Sequence, residues 1–560
     1  MESNSPKIAL AQIEIYAGQP ARNAEKILNF IEQAINLRAD MIIFPAMAIS
    51  GAMIGEDLQR ESFLRDCQFF NEKIIAASKK ITIVFDGIEA DYWDWEAARI
   101  FVARDGKIIK SKNSVYNIKL GGKKYRMLCR RGEFVAKNFP PEQVDFCVNI
   151  ASTPFRIGQN KLRDENFSSK AKELNCPIIY VNATGIQNCG KVIYTYEGNS
   201  TVYNSRGKIV HGIEIHEEDL SVIELDEINN LPELELAEYE EIDEIFSAIF
   251  YGVEKFLQQI NISKVVVGVS GGIDSAVAAA LYTQILGAGN VYLVNMPSVF
   301  NSATTKNLSE RLAKNLGCRY AVVPIQESVD FTVNQLESTC DIKISNFVKE
   351  NIQARDRSGR ILSAIAASIG GVFTCNANKA ETTVGYATLY GDAAGFFCAL
   401  ADLWKFQVYA LANYLNEKIF GDEIIPQGII DIVPSAELST AQNVDEGKGD
   451  PLKYSYHDYL FRAFVEDLKT PEDILQWYVD GNLEKNIGCE VGLVKKYFPT
   501  AKDFIADLER WWKLFTGIAV AKRLQAPPIL AVSRRAYGEF KESQNIPYFT
   551  QAYKNLKETV

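Results

Sequence analysis

At 560 residues the chain is too long for one hydrophobic core, and two or three domains are expected. Apolar residues make up 47% and charged residues 23%, a balance that excludes a disordered or membrane-embedded chain. A formal net charge of −11 excludes general attraction to a nucleic-acid backbone.

The opening MESNSPKIALAQI has no charged run followed by an apolar stretch, and no later run is apolar enough to span a bilayer, so a cytoplasmic protein without membrane contact is expected. From Lys7 the run KIALAQ reads as a buried strand. A helical pattern follows over Asn23 to Leu37, then a strand over Met41 to Pro45. Further strands are expected at Ile81 to Gly87, around Ile100 to Ala103, in DFCVNIAS and in PIIYVNAT, with a hairpin in TVYNSRGKIV turning at Asn204 to Gly207. Together they describe an α/β layered domain over residues 1–226. The ten cysteines include no C-x-x-C pair and the only histidines are His211, His216 and His457, so no zinc site is indicated and the cysteines read mostly as small buried residues.

Between Leu220 and Ile245 acidic residues crowd into ELDEINNLPELELAEYEEIDEI, which reads as a solvated connection over 227–238 leading into a helix at Phe246 to Ile260. Next comes KVVVGVSGGIDSAVAAALY, a β-branched strand, a glycine loop and an alanine-rich helix from about Ser275. Gly271 and Gly272 have no Cβ to block a phosphate, and the helix start adds free N–H donors and partial positive charge. The Ser270 and Ser275 hydroxyls supplement those donors, while Asp274 is suited to a magnesium ion bridging phosphate oxygens. Two glycines alone fit an ordinary strand-to-helix turn. The six-residue string Ser-Gly-Gly-Ile-Asp-Ser is more specific, and it lacks the Gly-Lys-Ser/Thr ending of a Walker A loop.

That string resembles the ATP loop of the pyrophosphatase-type (PP-loop) adenylating ligases. Over 239–560 the chain resembles the synthetase part of the NAD synthetases, through NMPSVFNS with Met296, ENIQARDR, NANKAETTVGYATLYGD, VPSAEL and AKRLQAPPILAVSRRAYG. The resemblance implies a Rossmann-like adenine nucleotide alpha hydrolase domain. It puts Met296, Arg355, Arg357, Asn376, Lys405, Ser435, Lys522 and Arg523 beside the nucleotide, Glu381 with Asp274 on Mg2+, and Asp392 near the ammonia position. Asn376 to Glu381 reads Asn-Ala-Asn-Lys-Ala-Glu where bacterial relatives have Thr-Gly-Asn-Lys-Ser-Glu, so an amide stands in for a hydroxyl at one nucleotide contact the resemblance implies. The implied reaction is amidation of deamido-NAD through an adenylate, consuming ATP and ammonia. A homo-oligomer, at least a dimer, is implied likewise.

Residues Lys7 to about Asp226 resemble the nitrilase-like glutaminase domain fused to many NAD synthetases, an αββα sandwich in which Glu, Lys and Cys release ammonia from glutamine. The string IIFPAMAISGAMIGEDL places Ala46 where the family has its glutamate, and a methyl is no base. The lysine position beyond Gly106 falls on Ser114, with Lys112 two positions short. Cys129 in RMLCRRGEF stands at the nucleophile position, followed by Arg130 and Arg131 in place of Glu-Asp. The expectation is a lapsed glutaminase fused to an ammonia-using synthetase. Three alternatives stay open: glutamine dependence through Cys129 and an unrecognised base or a separate glutaminase, a non-catalytic nucleotide-binding regulator, and a ligase of the same chemistry acting on another carboxylate.

Overall fold

The computed structural model describes residues 5–88, 98–132, 143–234, 240–539 and 547–560. Its strands in the first unit are β1 (Lys7–Gln12), β2 (Met41–Ile43), β3 (Thr82–Ile88), β4 (Ala98–Arg104), β5 (Lys107–Ile108), β6 (Val115–Leu120), β7 (Lys123–Arg131), β8 (Phe146–Ile150), β9 (Ile178–Val181), β10 (Thr184–Cys189), β11 (Val192–Glu197), β12 (Thr201–Tyr203), β13 (Ile209–Gly212) and β14 (Asp219–Glu224). Twelve of them build two six-stranded sheets, ordered β14-β1-β2-β3-β4-β5 and β13-β12-β9-β8-β7-β6, and β10 and β11 pair with each other outside these two. Alternate residues along each strand face opposite sides of a sheet. Ile8, Leu10, Met41, Ile43 and Val84 of one sheet accordingly meet Ile118, Met127, Cys129, Val148 and Ile179 of the other in one core. Helices α1 (Pro20–Asn36) and α2 (Glu61–Ala77) belong to the first sheet, and α3 (Gln159–Leu174) covers the outer face of the second through Phe167 and Ala171. This is the αββα sandwich.

Two local expectations shift. α1 starts at Pro20, three residues before the apolar period begins, because proline's missing N–H costs nothing in a helix's first turn. The acidic stretch from Leu220 is not all connection. Its beginning is β14, antiparallel to β1, and Leu225 and Ile228 enter the core, so charge density concealed an edge strand. This unit comprises Met1–Cys189 and Ile193–Glu244. Residues 235–238 of the expected connection, and Tyr239 at the expected start of the second domain, lie outside the described residues.

The second unit comprises Gly190–Val192 and Ile245–Val560. Helix α4 (Glu241–Gln259) begins five residues ahead of the expected Phe246, with Glu241, Asp243 and Glu244 in a first turn that favours negative charge. The sheet is parallel and ordered β17-β16-β15-β18, from β15 (Val265–Gly268), β16 (Val291–Asn295), β17 (Arg319–Val322) and β18 (Val372–Phe373). Around it lie α5 (Ile273–Leu286), α6 (Ala303–Leu316), α7 (Gln326–Cys340), α8 (Asn346–Arg355), α9 (Ser363–Ile369), α10 (Lys379–Val384), α11 (Lys405–Tyr414), α12 (Gln427–Asp431) and α13 (Tyr454–Val465). α5 is buried nearly all round, which explains its alanine-rich sequence without a polar face. Among the described residues no helix is long and apolar enough to cross a membrane.

Candidate active site

β15 pairs with β16 on one side and with β18 on the other, so the chain connections diverge at its carboxyl end. Open parallel sheets bind ligands at such a switch point. The loop Ser270 to Ser275 leaves β15 there. Gly271 has φ +86°, and a Cβ on it would lie 2.4 Å from the Thr305 carbonyl oxygen, so both backbone and space require glycine. The Gly272 N–H donates to Ser270 Oγ at 3.2 Å, the Ser270 N–H to Ser275 Oγ at 3.3 Å, and Ser275 Oγ–H to the Gly272 carbonyl at 3.0 Å. These bonds curl the loop tightly against the N-terminus of α5, where helix geometry concentrates donors for an anion.

A cavity of about 750 Å³ opens at this point. It is lined by the loop residues Ser270, Gly271, Gly272, Asp274 and Ser275, and by Met296, Arg355, Arg357, Asn376, Glu381, Asp392, Lys405, Ser435 and Lys522. Residues from segments spread over 250 positions of sequence therefore share one cavity. Arg523 is the exception. It is 3% exposed, donates to the Thr383 and Phe515 carbonyls, and stacks its guanidinium near the rings of Phe515 and Tyr537, each centroid 5.0 Å away. Basic character alone does not separate Lys522 from its neighbour; on α-helical geometry two consecutive residues point in different directions.

One group of cavity residues is carboxylate-rich. Lys405 Nζ donates to Asp274 Oδ2 and stands 3.9 Å from Glu381 Oε1. Asn378 Nδ2 donates to Asp274 Oδ1 at 3.1 Å while capping α10, whose third residue is Glu381. Burial and the neighbouring Asp274 push the Glu381 carboxyl up to about 8 against the pull of Lys405. Burial works against the Lys405 ammonium, but Asp274 and Glu381 outweigh it and hold the group above its ordinary range. A second group carries the guanidinium and ammonium side chains. Arg357 Nε donates to the Met296 carbonyl at 3.0 Å and its Nη2 to Asn301 Oδ1 at 3.3 Å, and burial brings its pKa down to about 10. Arg355 Nε donates to the Leu389 carbonyl at 3.1 Å, and Lys522 Nζ to those of Gly385 and Ala387 at 2.7 and 2.6 Å. Asp392 Oδ1 accepts the Thr388 N–H at 2.8 Å, and burial raises its carboxyl. Asn376 Nδ2 reaches the Gly268 carbonyl at 3.4 Å, and Ser435 Oγ–H donates to the Gln442 carbonyl at 2.6 Å.

Sequence reading passed over several residues here. Glu437, 2% exposed, accepts from Thr305 Oγ1 at 2.7 Å and the Ser302 N–H at 3.2 Å, tying VPSAEL to the start of α6. Asp450 lines the cavity and accepts from Tyr386 Oη at 3.1 Å and the Ala436 N–H at 3.1 Å, with its carboxyl pushed up to about 6 by burial. It sits in EGKGDPLKY, which reads as a solvated loop. Only the fold encloses it.

The chain matches the NAD synthase family model over residues 245–490 and the carbon-nitrogen hydrolase model over residues 7–126. A glutamine-dependent NAD(+) synthetase of Synechocystis sp. (strain ATCC 27184 / PCC 6803 / Kazusa) is 30% identical over an alignment covering 95% of this chain and 97% of that protein. This chain belongs to the glutamine-dependent NAD(+) synthetases. A relative of the same name from Xylella fastidiosa (strain Temecula1 / ATCC 700964) is also 30% identical, over 95% of this chain and 97% of its own. The fold agrees with solved NAD+ synthetases of Acinetobacter baumannii (24% identity, TM-score 0.67, covering 97% of this chain and 98% of that one) and Cytophaga hutchinsonii (14% identity, TM-score 0.75, 99% of each). The activity that goes with the family is NAD synthetase, a carbon–nitrogen ligation.

In the first unit, the structure places Ala46, Ser114 and Cys129, the positions singled out from the sequence, as follows. The Cys129 N–H donates to the Ser114 carbonyl at 3.0 Å, and Ala46 shares the intersheet core with Cys129. Cys129 is fully enclosed within β7, and burial and the nearby Asp86 push its thiol far above its ordinary range, with Arg131 opposing. The arginine next to it does not rescue a thiolate. Arg131 instead pairs with Asp86, Nε to Oδ2 2.6 Å, and Asp86 also accepts the N–H of Met47, the residue after Ala46. An aspartate in the apolar run ITIVFDG was the available signal for this pair, since a charge enclosed in a strand needs a partner.

Proposed function

We propose that this NAD synthetase takes ammonia directly and that its nitrilase-like unit no longer hydrolyses glutamine. The observation that carries the reading is the enclosure of Cys129 in the intersheet core, its thiol held protonated, with Ala46 and Ser114 where a glutamate and a lysine would have to act. A protonated, inaccessible thiol is no nucleophile.

In the synthetase unit, the loop Ser270 to Ser275 and the start of α5 hold the polyphosphate of ATP. The nicotinate carboxylate of deamido-NAD attacks the α-phosphorus, pyrophosphate leaves, and ammonia then attacks the acyl carbon to give NAD and release AMP. Arg355, Arg357 and Lys522 offset the charge that develops on the phosphates, because cations in a dry cavity act more strongly than in water. Asp392 orients ammonia by accepting its hydrogen bonds and receives the proton it sheds. Ser435 and Asn376 add neutral polar contacts.

Among the described residues no group of three or more His, Cys, Asp or Glu is arranged to hold a metal. Asp274 and Glu381 nevertheless suit Mg2+, which uses one or two carboxylates and takes its remaining ligands from phosphates and water. Both are oxygen donors in the cavity, and Lys405 sits between them as a cation in the same field. Bound there, Mg2+ would neutralise polyphosphate charge. The same reading, drawn from the family, makes the protein a cytoplasmic homo-oligomer of at least two chains.

The deciding assay compares NAD formation from ATP, Mg2+ and deamido-NAD with ammonium or with amide-15N glutamine. NAD labelled from glutamine would overturn the ammonia reading. Turnover with ammonium alone supports it.

A further inference from the structure

Lys405 begins α11, and its side chain is 4% exposed between Asp274 and Glu381. A buried four-carbon side chain of this kind keeps its position only if its backbone and its head are both held. α13 does both. Asp458, 1% exposed, accepts the Phe406 N–H at 2.9 Å, in the first turn of α11, where helix N–H groups lack partners within the helix and a carboxylate is favoured. One turn earlier on the same helix, the Tyr454 ring lies under the Lys405 ammonium, 4.9 Å from centroid to Nζ, and its hydroxyl donates to Glu381 Oε1 at 3.2 Å. Positions four apart on a helix share a face, so one helix face grips both ends of Lys405 and one oxygen of Glu381.

Resting on the proposed synthetase chemistry, we propose that Tyr454 and Asp458 are positioning residues for that chemistry. Asp458 sets where Lys405 leaves the backbone, while Tyr454 sets where its ammonium and the Glu381 carboxylate stand relative to Asp274. The ring offers the ammonium a place on its face when Asp274 turns to the nucleotide's cation. The hydroxyl keeps Glu381 aimed at the cavity. Neither residue touches the reacting atoms.

The test uses the full chain and the variants Tyr454→Phe, Tyr454→Leu, Asp458→Asn and Asp458→Ala. AMP formation would be measured against Mg2+, ATP and ammonium, with binding of Mg2+ and a non-hydrolysable ATP analogue measured by calorimetry. Tyr454→Leu and Asp458→Ala are expected to lower kcat by about 10- to 100-fold, the scale of a small misplacement of a reacting group, with KM for ammonium unchanged. Asp458→Asn, which still accepts the Phe406 N–H, should restore most of kcat. Tyr454→Phe keeps the ring and loses the hydroxyl, so it should raise the Mg2+ requirement several-fold with kcat within about twofold. Wild-type kcat and Mg2+ dependence in folded Tyr454→Leu and Asp458→Ala would overturn the inference while leaving the synthetase reading intact, as would losses that only follow a lowered Tm. Absent turnover by the unmodified chain would overturn the synthetase reading, and calorimetry would still decide the inference. Unaltered Mg2+-dependent binding in all four variants counts against it.

Discussion

Arg131 Nε lies 2.6 Å from Oδ2 of Asp86, a carboxylate that is itself completely enclosed and whose other oxygen accepts the Met47 N–H. Burial raises the Asp86 carboxyl, and Arg131 and the Met47 N–H oppose that shift. Removing one partner of such a pair strands the other in a dry site. Arg131→Met should therefore cost about 3–5 kcal/mol of stability, lessened because Arg131 is 31% exposed and the chain can protonate Asp86 instead. Asp86→Asn combined with Arg131→Met should cost less than either single change. Urea denaturation of the four proteins measures this, and additive losses would show that the two residues act independently.

Cys129 shares that enclosure, whereas Cys189 and Cys340 are exposed. Brief treatment of the folded protein with iodoacetamide near pH 8 should label the two exposed cysteines and leave Cys129 unmodified, by peptide mass spectrometry, until denaturant is added. Cys129→Ala should leave ammonium-supported turnover within about twofold, because Cys129 belongs to the first unit and every cavity residue named here to the second. Rapid labelling of Cys129 in the native protein, or loss of glutamine-supported turnover in the alanine variant, would restore a working amidase.

Gly271→Ala isolates the phosphate loop. The new methyl meets the Thr305 carbonyl at 2.4 Å, and the residue must hold φ +86°. Left-handed backbone costs a non-glycine residue about 1–2 kcal/mol before any clash. The loop should rearrange locally, raising KM for ATP or lowering kcat/KM by roughly 100-fold, with circular dichroism unchanged. Near-wild-type kcat/KM would mean that the loop does not hold the polyphosphate as drawn.

Much of this was legible in the residues because the deciding signals are local. SGGIDS states a strand-to-helix loop by itself, and KVVVGVS and KIALAQ are buried strands by their β-branched or unbroken apolar character. Ala46 in FPAMA and Ser114 carry the expectation of a lost amidase without coordinates. What stayed hidden depends on long-range pairing. Asp86 needs Arg131 and Asp450 needs Tyr386, 45 and 64 positions away, to be more than an acid in a strand or a loop. Arg523 looked equivalent to Lys522 because adjacent basic residues differ only in which side of the helix they face. β14 was masked by the acidic residues that flank it in sequence, although Leu220, Val222 and Ile223 keep the apolar content of a strand.

Lys522 and Arg523 can be separated by substitution. Lys522→Met removes a half-buried ammonium from the cavity, and kcat/KM should fall about 10- to 100-fold with little change in Tm. Arg523→Met leaves the Thr383 and Phe515 carbonyls without their charged donor and should lower Tm clearly while kcat/KM at a permissive temperature stays within a few-fold. The reverse pattern would return Arg523 to the nucleotide site.

Glu197 ends β11 in the first unit, enclosed with Arg163, Asn160, Asp164 and Glu244 around it. Burial pushes its carboxyl up from 4.5 to about 7, against Arg163 and a hydrogen bond from Asn160, and Glu244 and Asp164 add to the rise. The folded state thus holds a proton that the unfolded chain gives up, so the stabilisation is complete below about pH 4.5 and is lost as pH climbs through about 7. Its full size is on the order of 3 kcal/mol. Glu197→Gln replaces the protonated acid with a neutral isostere and should remove this contribution to the slope, so the variant gains on the unmodified protein between pH 5 and pH 8. Hydrogen exchange of peptides spanning Tyr196 to Tyr203 reads that difference within the unit concerned. Parallel pH profiles for the two proteins would show that Glu197 is ionised in the fold and that Arg163 outweighs its burial.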